Sequence, residues 1–114
     1  MKLPGAEHAI IDSRKLRDYV LSPTHPIGRF KAAFFGSLGY DAARWRDLEA
    51  ALRGAALEGE VEVGEQTPFG QKYLIRSIFT GPSGRAAAVV SVWIVRRGES
   101  VPRFVTVMPE RQGR

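Results

Sequence analysis

The chain is predicted to be an α+β domain, with about three N-terminal helices packed on a four-stranded antiparallel meander sheet. Three observations predict this. The hydrophobic period is helical up to about residue 60 and strand-like beyond it. The strand-like half is cut by short turns at Thr67-Pro68-Phe69-Gly70, Gly81-Pro82-Ser83-Gly84 and Gly98-Glu99-Ser100, so consecutive strands should pair in sequence order. At 114 residues, 44% of them hydrophobic and 25% charged, the chain suits a single domain with one core.

The elements follow in order. Residues 1–9 read as a loosely docked N-terminal arm, 10–109 as the domain and 110–114 as a flexible tail. Ile10-Ile11 can be a short strand or a hydrophobic staple. Asp12 or Ser13 caps a first helix over about 13–21, with Leu16, Tyr19 and Val20 on one face. Ser22-Pro23 ends it and Thr24 to Gly28 form a loop. A second helix spans about 29–38, with Phe30, Phe34 and Leu38 on one stripe, Lys31 and Phe35 on the next, and Gly39 as the residue that stops it. Asp41 caps a third helix of about 42–57 whose buried face is Trp45, Leu48, Leu52 and Ala55, with Glu49 and Arg53 paired outside.

Strands follow from residue 60. Tyr73, Ile75, Ser77 and Phe79 share one face of the second strand, and Lys72, Leu74, Arg76 and Ile78 the other. Ala87 to Arg96 is apolar on both faces, which marks a central strand, and Trp93 on it reads as core. Arg103 to Met108 is the last strand. Simple alternation puts Thr106 with Phe104 and Met108, opposite Arg103.

Composition narrows the function. There is no cysteine, so disulfides and thiolate metal sites are excluded. Two histidines, His8 and His25, stand seventeen apart without ligand spacing, and no metal or other cofactor is expected. The Gly81–Gly84 turn joins two strands, which is the wrong context for a phosphate-binding P-loop. No signal-like or membrane-spanning stretch is present, so the expectation is a cytoplasmic protein without a membrane partner. The net charge of +5 favours an acidic or nucleic-acid partner. Thirteen of the 17 basic residues are Arg, which suits bidentate phosphate binding and equally reflects a GC-rich coding sequence.

One segment concentrates chemistry. Thr24-His25-Pro26-Ile27-Gly28-Arg29-Phe30-Lys31 runs from a turn into an apolar helix. His25 can act as general acid or base near neutral pH, or can simply hold the turn by hydrogen bonds. Lys31, in the first turn of the helix, can neutralise a phosphate, aided by the helix terminus. On the strands, Lys72, Tyr73, Arg85 and Arg103 are the candidates for substrate contact, and Thr106 for orienting the substrate.

The run Lys15-Leu16, Tyr19-Val20-Leu21, His25-Pro26, Gly28, Lys31-Ala32, Phe34-Phe35 and Leu38-Gly39 resembles an uncharacterised bacterial domain family. The resemblance continues through Thr67-Pro68, Gly70, Lys72-Tyr73, Gly81-Pro82, Gly84-Arg85, Val92-Trp93 and Pro102-Arg103 to Pro109, nearly the whole domain. Members of that family occur alone and at the C termini of polymorphic toxins. More distantly, helices followed by a four-stranded sheet resemble the barnase, EndoU, colicin D and RelE group of ribonucleases. Several toxins of that group end in Thr-Ala-Tyr-Pro or Thr-Ala-Phe-Pro. Here Thr106-Val107-Met108-Pro109 keeps the Thr and Pro and replaces the aromatic by Met. The resemblance, taken with the His25–Lys31 segment and the basic strands, implies a toxin-like, metal-independent domain that cleaves RNA; the residues expected at its site are His25, Lys31 and Thr106. The alternative is a non-catalytic interaction module, an antitoxin, immunity or adaptor protein whose partner is encoded beside it.

Overall fold

The computed structural model describes residues 1–110. Helices α1 (Ser13–Lys15), α2 (Arg29–Ser37) and α3 (Trp45–Glu58) precede strands β1 (Val61–Thr67), β2 (Gly70–Thr80), β3 (Ala86–Arg96) and β4 (Pro102–Pro109). The sheet order is β1-β2-β3-β4 and every pairing is antiparallel, so the expected α+β meander is the observed fold.

Local sequence explains the helix starts. The Asp12 carboxylate accepts the Arg14 backbone N–H at 3.0 Å, and Asp41 accepts that of Arg44 at 2.9 Å, each supplying an acceptor for an otherwise unpaired donor. α1 does not continue as an α-helix. It widens into a π-helical turn over Leu16–Val20, closed by the Leu21 N–H on the Leu16 carbonyl. α2 ends at Gly39, whose φ of +97° only glycine adopts cheaply. A 3-10 turn, Ala42–Arg44, leads into α3.

The helices cover one face of the sheet. Ile75, Phe79, Val89, Trp93, Phe104 and Val107 meet Leu16, Val20, Phe35, Leu48 and Leu52 in one core. Trp93 is fully buried on the central strand, as its position predicts, and donates its indole N–H to the buried Ser91 hydroxyl at 3.0 Å. The other face is open. Leu74, Val90, Val92 and Met108 line it, with Arg76 clamped between Glu62 and Glu110.

Three expectations are corrected. The apolar stripe of α2 is rotated: Phe35 and Leu38 are buried, whereas Phe30 is 69% exposed. Phe30 and Phe34 made an equally periodic stripe, and only the angle at which α2 meets the sheet chooses between them. The arm is docked rather than loose, because Leu3 and Ala9 enter the core, the Met1 carbonyl accepts the Val61 N–H, and Ile10 pairs with β4 at Arg103. Finally, β4 carries a bulge. Trp93 faces Phe104 and Val92 faces Thr106, which leaves Val105 unpaired and breaks the alternation. Phe104 therefore points into the core, while Thr106, paired with Val92, falls with Arg103 and Met108 on the other side of the strand. Of the tail expected at 110–114, Glu110 reaches back to Arg76; the rest lies outside the described residues.

Two outcomes follow from these contacts. Ser91→Ala strands the buried Trp93 N–H, and urea unfolding should show a loss of about 1–3 kcal/mol. The Asp12 carboxyl is lowered from 3.8 to about 2, first by the Arg14 guanidinium and then by its backbone N–H. A depressed carboxylate stabilises the fold above its unfolded value and stops doing so as pH falls through its folded one. The cap should therefore persist below pH 3.8 and fail near pH 2. An NMR titration of the Asp12 carboxyl carbon checks this, and Arg14→Ala should return its midpoint toward the ordinary value.

Candidate functional site

The loop that held the most chemistry in sequence is built around His25. Its Nδ1 accepts the backbone N–H groups of Ile27 and Gly28, each at 3.0 Å. The imidazole thus does at the start of α2 what a Ser or Asp side chain does elsewhere, and takes up donors that the helix cannot satisfy itself. With Nδ1 occupied as an acceptor, the ring proton sits on Nε2. The ring packs edge-on against Tyr19, centroids 5.0 Å apart.

Tyr19 belongs to the π-helical turn, and Gly28 explains how α2 comes so close to it. A Cβ on Gly28 would overlap the Tyr19 carbonyl oxygen. The close approach brings the Lys31 side chain across the Tyr19 ring, with Nζ 4.9 Å from the ring centroid. The Lys31 ammonium donates to the Tyr19 hydroxyl at 3.1 Å and to Thr106 Oγ1 at 2.7 Å. Thr106 directly follows the bulge in β4, opposite Val92, and is reached by Lys31 at the strand's edge. The preceding residue takes a second cation, because Lys15 Nζ donates to the Val105 carbonyl at 3.3 Å.

The resulting site lies where α1, α2 and the edge of β4 meet. Lys31 is half-buried, and among the described residues no carboxylate lies within 4.0 Å of Lys31 or Lys15. An ammonium has three N–H donors; two of those on Lys31 go to neutral hydroxyls, which leaves one donor and the full charge uncompensated. Chemically the site can receive an anion.

Of the residues singled out in sequence, Lys31 and Thr106 meet here directly, and His25 is joined to them through the Tyr19 ring. Lys72 and Arg103 lie on the open face in one row across the sheet, with Ile94 between them. Arg103 is occupied by Glu99 at 3.0 Å. The Arg103 contact is also the main reason the Glu99 carboxyl titrates below its ordinary range. Tyr73 packs against the core from the helix-covered face. Arg85 stands in the β2–β3 turn, at the far end of β3 and roughly 30 Å from the Arg103 row at about 3.3 Å per residue. Sequence reasoning overlooked Lys15 and Tyr19 as members of the site. Their four-residue spacing, which puts both on one helix face, was the available signal.

The fold and this seam place the chain in a class of small α+β domains with one face of the sheet bare. Its sequence matches the domain of unknown function DUF6883 over residues 2–111, and the chain belongs to that family. The same fold occurs in a chain of a contact-dependent growth inhibition toxin–immunity protein complex from Klebsiella pneumoniae 342. That chain is 21% identical, with a TM-score of 0.68 over 95% of this chain and 98% of the other. No curated protein matches the chain in sequence. Among the described residues no helix is long and apolar enough to cross a membrane.

Gly28→Ala tests how the site is assembled. It should destabilise the protein by about 1–3 kcal/mol, the usual cost of forcing extra volume into a packed contact. Nitrogen chemical shifts of His25 should also lose the pattern of an unprotonated, hydrogen-bonded Nδ1 as α2 is pushed off the π-helical turn.

Proposed function

We propose that this domain is a metal-independent RNA-acting domain that cleaves phosphodiester bonds, and that Lys31 binds the scissile phosphate. The observation that carries the reading is the Lys31 ammonium itself, half-buried, steadied by Tyr19 and Thr106, and without an acidic partner among the described residues. A cation so placed is held for an external anion, and its charge counts for more in the partly desolvated seam than in open water.

In the reaction the 2′-oxygen of a ribose bonds to phosphorus as the bond from phosphorus to the 5′-oxygen breaks. The 2′-hydroxyl proton passes to water and the departing 5′-oxygen takes a proton from water, giving a 2′,3′-cyclic phosphate and a 5′-hydroxyl end. Lys31 stabilises the charge that builds on the non-bridging oxygens. His25 contributes a hydrogen bond from Nε2–H rather than a proton transfer, since its Nδ1 is engaged by the loop. Tyr19 and Thr106 are positioning residues. Lys72 and Arg103 offer cations farther along the open face; Arg85 and Tyr73 contribute no contact at this seam.

The toxin side of a toxin–immunity pair suits the charge better than the immunity side. A protein that covers a phosphate-binding site must present acidic groups to it, whereas this chain has a net charge of +5 and bare lysines at its seam.

The test is cleavage of total bacterial RNA and tRNA in excess EDTA by the wild type, Lys31→Met and Thr106→Ala. Discrete products with cyclic phosphate ends are expected from the wild type. Lys31→Met should slow their formation about 100-fold or more, and Thr106→Ala by less, since Tyr19 still holds the ammonium. A folded wild type that yields no products, or a Lys31→Met protein that cleaves as well as wild type, overturns the reading. The non-catalytic interaction module would then take its place.

A further inference from the structure

Beside the Lys31 seam, on the other side of the β4 bulge, lies a small enclosed pocket of about 110 Å³. Asp12, Lys15, Arg96, Arg103 and Val105 are among the residues that line it. Three cations and one carboxylate thus line it, with Glu99 close enough beside them to interact with both Arg103 and Arg96. Asp12 accepts the Arg14 guanidinium through both oxygens, at 3.1 and 2.9 Å. Arg103 is likewise engaged by Glu99. That leaves Lys15 and Arg96 without a direct ion pair among the described residues; they act on Asp12 and Glu99 only at longer range, and with Arg14 and Arg103 four cations stand against those two carboxylates.

The pocket adjoins the seam through Lys15 and Val105. Lys15 lines the pocket and also donates to the Val105 carbonyl, while Thr106, the next residue, holds Lys31. Two cationic positions therefore open on neighbouring residues of one bulge, Lys15 at Val105 and Lys31 at Thr106. One phosphate has no use for both, whereas successive phosphates of a single strand do. The exposed Phe30 and the apolar groove beside α2 offer no comparable charge to select an occupant.

We infer that the Lys15–Arg96 pocket is a second phosphate subsite, which takes the phosphate next to the scissile one in a single-stranded RNA. This rests on the reading of Lys31 as the scissile-phosphate ligand. The substrate is accordingly an unpaired segment with at least two phosphodiesters, and its binding energy comes from two sites on either side of the bulge.

The probes are 2′-O-methyl oligonucleotides, which cannot be cleaved: a dinucleotide with one phosphodiester and a trinucleotide with two. Their binding is followed by fluorescence anisotropy across a salt series for wild type, Arg96→Ala and Lys31→Met. The wild type should bind the trinucleotide about tenfold more tightly than the dinucleotide, the scale of one charge-assisted contact. Arg96→Ala should abolish that gain and leave dinucleotide binding unchanged. Its slope of log K against log salt for the trinucleotide should be shallower by about 0.7, the loss of one phosphate contact on a single strand. Arg96 is exposed at the end of β3, so its removal leaves the core intact.

No gain from the second phosphate, or a gain that survives Arg96→Ala, overturns the subsite. If the gain is absent while Lys31→Met abolishes dinucleotide binding, the subsite fails and the Lys31 reading stands. If the gain is present and Lys31→Met binds the dinucleotide as wild type does, the Lys31 reading fails and the pocket stands as an RNA phosphate site. A wild type that binds neither probe overturns both.

Discussion

Gly28 leaves no room for a side chain against the Tyr19 carbonyl oxygen, and that contact fixes both the height and the rotation of α2. Everything at the seam depends on it. The His25 ring can cap α2 and still stack edge-on against Tyr19 only because loop and turn are this close. The rotation that buries Phe35 and Leu38 also carries Lys31, four residues before Phe35, toward the sheet. One backbone contact thus links the hydrophobic packing of the helix to the position of a charge. A side chain at residue 28 would disturb the core and the site together.

The second constraint lies across the seam. β4 is an edge strand, and Thr106, which meets Lys31 at that edge, directly follows its bulge at Val105. Bulges are common where an edge strand has to re-aim a side chain. The strand's outer edge is also partly occupied, since Ile10 pairs at Arg103 and Lys15 takes the Val105 carbonyl. Those contacts cover backbone acceptors that would otherwise invite another strand. Structural protection of the edge and presentation of the cations come from the same short stretch of chain.

Much of this was legible in the residues themselves. Asp12, Asp41 and Gly39 act through local chemistry that a sequence displays directly, and so do the Gly/Pro turns that order the meander. Trp93 and the central strand were legible because that strand is apolar on both faces. What escaped was set by contacts distant in sequence. Phe30 and Phe34 were as periodic as Phe35 and Leu38, and only the docking angle separated them. The alternation of β4 read cleanly as Phe104, Thr106, Met108, and a single extra residue at Val105 reassigned Thr106 and Met108 to the other face. Of the site, His25, Lys31 and Thr106 were visible as residue types in suggestive places. Tyr19 and Lys15 were signalled only by their four-residue spacing on one helix face, because they act through the π-helical turn and the bulge, which an apolar–polar pattern does not show.

The distribution of charge gives the arrangement its meaning. Five arginines, Arg14, Arg44, Arg53, Arg76 and Arg103, are paired with carboxylates. Exposed pairs of this kind contribute little stability each, but they use up positive charge locally and leave the surface there nearly neutral. The lysines at the seam are treated differently: Lys15 and Lys31 donate to neutral oxygens and keep their charge. The arginine-rich composition therefore overstates the charge open to phosphate, although Arg96 is among those left out of any ion pair. Holding an ammonium half-buried against hydroxyl groups costs desolvation that an acidic neighbour would offset. The packing around Gly28 and the bulge at Val105 sustain that cost at one place, and an anion from outside is what would relieve it.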